Sequence, residues 1–137
     1  MKNETFVKLA GIHCVLCGLL HPPMPYQFKW AELLAFIPAE SRTYIGDSLH
    51  IMNWCMAVGW ILLAYILIKF SKDMVRPGLG RTILASMVIF WIIRICILQP
   101  VYIGLNSAIS MQMMGFFIVG LVLFIIPLVR SLKNVSV

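Results

Sequence analysis

Leu84-Ala85-Ser86-Met87-Val88-Ile89-Phe90-Trp91-Ile92-Ile93-Arg94-Ile95-Cys96-Ile97-Leu98-Gln99 is almost all hydrocarbon, with one guanidinium set well inside it. Such a run is too long and too apolar for a soluble surface helix, and it reads as a membrane span of about 20 residues. A charge at that depth costs several kcal/mol, at least about 2.5 by insertion scales, unless something offsets it, so Arg94 marks a function or a buried partner.

Three more apolar runs flank it. The first covers about residues 5–21 and is closed by Pro22, Pro23 and Pro25, which cannot donate to a helix ladder. The second covers about 48–70, with Asp47 or Ser48 as the expected N-cap. The Arg94 run itself spans about 82–99, between the breakers Pro77, Gly78 and Gly80 and the closing Pro100. The last covers about 105–129, after a short link from Pro100 to Asn106. Between the first two spans, Trp30, Leu33, Leu34 and Ile37 fall at helical spacing with Lys29, Glu32 and Glu40 around them. That pattern predicts a short amphipathic helix over about 27–37, lying in the membrane interface and ended by Pro38. The fold class is therefore an all-α, integral membrane four-helix bundle formed by a single domain over 1–137.

The composition agrees. Of 137 residues, 61% are hydrophobic and 12% charged. A soluble domain carries roughly 25% charged residues and needs them to cover its core. The net charge of +6 does not point to nucleic acid, because the basic residues sit in short segments between spans rather than in a stripe. Four cysteines lie inside apolar runs, which is not a secreted disulfide framework. Cys14-Val15-Leu16-Cys17 sits in an apolar helix, and Gly11, Cys14, Gly18 and His21 share one face, a pattern that favours close helix packing. His21-Pro22-Pro23 stands where a leader cleavage site would need small residues, so the first span is expected to be retained.

Four spans put both ends of the chain and the 69–81 turn on one side. That side holds Lys2, Lys8, Lys69, Lys72, Arg76, Arg81, Arg130 and Lys133, against Lys29 and Arg42 on the other. Eight against two predicts both termini in the cytoplasm. No span holds an acidic residue, which argues against a small proton-coupled pump.

With that orientation Arg94 lies about two thirds of the way across, at about 1.5 Å per residue. His50, Asn53 and Trp54 of the second span come to similar or shallower depth, and His21, Gln99, Tyr102 and Asn106 lie near the outer boundary. The candidate ligand- or partner-binding residues are Arg94, His50, Asn53, Trp54, Gln99, His21 and Asp47, arranged as an outward-facing pocket under the 22–47 segment. His21 and His50 are the best metal candidates, for haem iron or copper, and the six methionines predicted on the outer side (Met24, Met52, Met56, Met111, Met113, Met114) suit Cu(I) or plain packing. His13, in mid-span, is expected to hydrogen-bond across a helix contact. No catalytic motif is present, so the expected role is a non-catalytic accessory or assembly subunit, associated with the bilayer and with other membrane subunits or itself. A redox subunit binding haem, quinone or copper is the alternative, and an oligomeric transporter or channel the third.

Overall fold

The computed structural model describes residues 2–100 and 107–133, with side chains from 111 onward in the second stretch. The start of the fourth span, together with Tyr102 and Asn106, lies outside the described residues. Within them the chain forms helices and no strand: α1 (Asn3–Leu20), α2 (Met24–Gln27), α3 (Trp30–Leu34), α4 (Ala39–Lys69), α5 (Leu79–Ile93) and α6 (Ser107–Lys133). Four of these are long and apolar enough to cross a membrane, as an integral multi-pass protein requires.

The helices pack as a row that curls round on itself. α4 lies along α1, α1 along α6, and α6 along α5; α4 and α5 have no comparable packing. The α1–α4 seam explains why α1 carries small residues. A Cβ on Gly18 would stand 3.0 Å from the Ala57 carbonyl oxygen, and one on Gly11 would stand 3.2 Å from that of Ala64. The two glycines are seven residues apart, as are the two alanines opposite, so one smooth-faced stripe of each helix meets the other. The expected packing role of Gly11, Cys14 and Gly18 is what the fold uses, and both Cys14 and Cys17 are buried, unbridged thiols.

The chain's basic segments gather at one end of the bundle. Arg81 Nη2 donates to the Ser131 carbonyl at 2.7 Å, and the Arg130 guanidinium sits 5.1 Å from the Phe6 ring centre. The tight turn Asp73–Val75 packs there against α1 and α6.

Two boundaries differ from the sequence reading. α4 begins at Ala39, nine residues before the expected start, so Asp47 is an exposed mid-helix residue and Pro38 occupies the cap position. Ala39, Glu40 and Arg42 are good helix formers, and a helix continuing above a membrane needs no apolar face. Glu40 in the first turn also complements the helix dipole. The 27–37 segment is not one helix either. Lys29 takes a left-handed conformation (φ 50°) and breaks it into α2 and α3.

Candidate functional site

The core around α5 is aromatic. Trp91, 1% exposed, stacks on Trp60 of α4 at 5.5 Å between ring centres. Phe90 meets Trp60 edge-on at 5.4 Å. These rings are where α4 and α5 come together. Beyond them, toward the end away from the basic segments, the two helices leave a cleft of about 300 Å³. Its floor is Trp60, Phe90 and Trp91. Its back wall comes from Cys17, Leu20 and His21 of α1 and from Met113, Phe116 and Phe117 of α6. Leu49, Met52, Asn53 and Met56 of α4 line one side, Arg94 and Leu98 the other, and Met24 and Trp30 reach in from the α2–α3 segment.

Arg94 reaches this wall through a local change of helix type. From Arg94 to Leu98 the helix widens into a π turn, in which Gln99 N–H donates to the Arg94 carbonyl, five residues back. Single π turns inside α-helices occur often at functional sites, because they redirect side chains without ending the helix. Trp91 thus stays in the core while Arg94, half-buried, lies against the face of Phe117 with its guanidinium carbon 4.6 Å from the ring centre. That cation–π contact sets the guanidinium against the negative face of the ring quadrupole.

Asn53 and His21 close the back of the cleft. Asn53, 6% exposed, donates from Nδ2 to the His21 carbonyl at 2.7 Å, joining the Met24 N–H that already donates to the same oxygen at 2.9 Å. The His21 Nδ1 lies 2.7 Å from the Cys17 carbonyl oxygen. A carbonyl can only accept, so Nδ1 carries the proton, and a neutral His21 keeps Nε2 as an acceptor.

The expected site residues separate by position. Arg94, Asn53 and His21 come together in the cleft. Gln99 is buried, 1% exposed, beyond the lining. His50 is exposed and packs beside Trp30, ring centres 5.6 Å apart. Trp54 is 58% exposed, and Asp47 lies outside the wall. Of the expected face His50, Asn53, Trp54 and Ala57, only Asn53 and Ala57 turn into the bundle. The metal candidates His21 and His50 do not both line the cleft, and among the described residues no cluster of three or more His, Cys, Asp or Glu side chains could hold a metal ion.

His13 also departs from expectation. It is buried and stacks on Phe116 at 4.1 Å, with Trp91 edge-on at 5.5 Å. Among the described residues its Nε2 has no hydrogen-bond partner, and a Cβ on Gly120 would stand 2.7 Å from that atom. Aromatic stacking, not a cross-helix hydrogen bond, seats the ring. The residues that sequence reasoning missed are Trp60, Trp91, Phe116 and Phe117. They read as core or lipid-facing, and only their mutual stacking makes them the floor and wall of a cleft. No family model, no curated protein and no solved structure matches this chain.

Proposed function

We propose that this is a non-catalytic membrane protein that holds a lipid-soluble ligand in the cleft between α4 and α5, acting as an accessory subunit to the machinery that uses or moves that ligand. The cleft is the observation that supports this reading. A subunit held only by helix contacts has no need of a space of about 300 Å³ with a guanidinium in its wall. The volume is at the small end of the roughly 300–1,000 Å³ of ligand pockets, and the lining has their usual character, mostly apolar with a few polar groups. Because α4 and α5 do not pack along each other above Trp60, a ligand can pass in sideways from the bilayer. The excess of Lys and Arg at the end where α1 begins and α6 finishes supports a cytoplasmic side there, and with that orientation the cleft lies in the outer half of the membrane. The four methionines of the wall do not favour a copper site, since Arg94 brings a fixed positive charge into the same space.

The test is native mass spectrometry of the full chain released from mild detergent. A discrete adduct is expected on the unmodified protein and is expected to vanish in Met56→Trp, whose indole fills the cleft, while helicity by circular dichroism is kept. An adduct pattern identical in the two proteins, or a bare chain in both, would remove this function.

A further inference from the structure

We infer that the cleft selects a single-chain lipid alcohol, whose neutral head of two hydroxyls, as in a monoacylglycerol, donates to Asn53 Oδ1 and His21 Nε2; this rests on the ligand-binding reading above. Three observations lead to it. The first is a pair of acceptors fixed in place. The His21 carbonyl can only accept, so the Asn53 atom bonded to it is Nδ2, and Oδ1 is the other end of that amide. Asn53 is 6% exposed and lines the cleft, and among the described residues its Oδ1 accepts no hydrogen bond. His21 is oriented in the same way. Its Nδ1–H donates to the Cys17 carbonyl at 2.7 Å, and Nε2, across the neutral ring, is an acceptor with no partner among the described residues. Polar groups shielded from water are nearly always hydrogen-bonded, so two acceptors on the wall of an apolar cleft call for donors from whatever fills it.

The second observation is what the rest of the lining offers a head group. The indole nitrogens of the floor, Trp60 Nε1 and Trp91 Nε1, are enclosed by the protein, so the floor gives no donor to a group that only accepts, such as an ester or a quinone. An ammonium would supply donors but would bring a second positive charge into the space that Arg94 lines. A neutral hydroxyl head meets both conditions. The third is the surface left for the tail. The aromatic faces are largely occupied by one another: Trp91 with Trp60, Phe116 with His13, Phe117 with Arg94. A flat aromatic diol such as a quinol would need such a face. Met24, Met52, Met56 and Met113 instead present flexible thioethers, which adapt to a bending alkyl chain. The cleft of about 300 Å³ takes a head group and the first part of one chain, and its open side lets the remainder lie in the bilayer.

The experiment uses the tryptophans of the cleft as reporters. The full chain in nanodiscs is titrated with the monoacylglycerol of a mid-chain dibrominated stearic acid, whose bromines quench indole fluorescence. It is titrated in parallel with the methyl ester of the same acid, which keeps the chain and the ester group and lacks the hydroxyls. Saturable quenching by the monoacylglycerol is expected, with the methyl ester roughly tenfold weaker for want of the two hydrogen bonds. Asn53→Leu and His21→Phe should each narrow that gap to about threefold, one hydrogen bond being left. The readout is the ratio of the two affinities within one protein, so a variant with a loosened cleft still reports, and the comparison on the unmodified chain stands even if a variant fails to fold. Equal affinities for the two lipids would overturn the hydroxyl assignment and leave the lipophile cleft intact. An adduct of a short-tailed quinol by native mass spectrometry, with no saturable quenching by the monoacylglycerol, would overturn it also. No saturable binding of any of the three would remove both this inference and the proposed function.

Discussion

Enlarging Gly18 should loosen the bundle in graded steps. A single methyl group there meets Ile61 Cδ1 at 2.8 Å, Ile61 Cγ1 at 2.9 Å and the Ala57 carbonyl oxygen at 3.0 Å. Ile61 is half-exposed to the surroundings and can turn its end outward, but the carbonyl belongs to the α4 backbone and yields only if the helices part. Gly18→Ala therefore combines a crowding cost with the gain of roughly 0.8–1 kcal/mol that alanine brings to a helix interior, and the net change should be small. Gly18→Val adds two more carbons against the same carbonyl and should cost about 1–3 kcal/mol, the usual range for overpacking. Gly59, on the same α4 but with nothing within 4 Å of its Cβ position, serves as the control. Gly59→Val should be neutral or slightly stabilising. Unfolding in mixed detergent micelles, followed by tryptophan fluorescence, reads the difference: about 2 kcal/mol is roughly a thirtyfold change in the equilibrium constant. Equal unfolding midpoints for Gly18→Val and Gly59→Val would refute the close α1–α4 seam.

Gly120→Val should destabilise by a similar 1–3 kcal/mol or so, because its Cβ would crowd His13 Nε2 at 2.7 Å and Trp91 Cε2 at 2.9 Å; the same micelle titration checks it. Asn53→Leu removes one of two donors to the His21 carbonyl, the Met24 N–H remaining, and should cost about 0.5–1.5 kcal/mol, with faster exchange of the Met24 amide as its local signature; unchanged exchange there would count against Asn53 as the clasp of the cleft. Reporter domains fused after Lys133 and inserted near Gly78 should both be active only as cytoplasmic reporters, and a periplasmic or extracellular signal from either would reverse the orientation.

Much of this fold is legible in the residues. Four apolar runs separated by proline and glycine give the spans, because a bilayer forces backbone polar groups into helices and so ties composition to structure. The small face of Gly11, Cys14 and Gly18 foretells a close contact, since nothing but a neighbouring backbone has use for so smooth a surface. The start of α4 was not legible: Glu40, Ser41, Arg42 and Thr43 look like a loop, and helix propensity shows through only once the membrane boundary is known. The break at Lys29 is hidden for a related reason, as lysine gives no sign of a left-handed backbone.

The site was half legible. Arg94 announces itself as a lone charge in hydrocarbon, and Asn53 and His21 follow from shared depth. Depth does not settle which way a side chain faces. His50 and Trp54 each follow an inward position, Leu49 and Asn53, by one residue, about 100° round the helix, and turn away. The π turn at Arg94 and the gap between α4 and α5 arise from packing among four helices, which no local pattern encodes.

The central claim is that the space between α4 and α5 is a binding site for something drawn from the bilayer. A high-resolution structure of the full chain in native lipid tests it most directly. Continuous density that belongs to no residue of the chain is predicted in the cleft, between Met52 of α4 and Leu98 of the π turn. A cleft closed by α4 packing directly against α5, or filled by the protein's own Trp30, would contradict it.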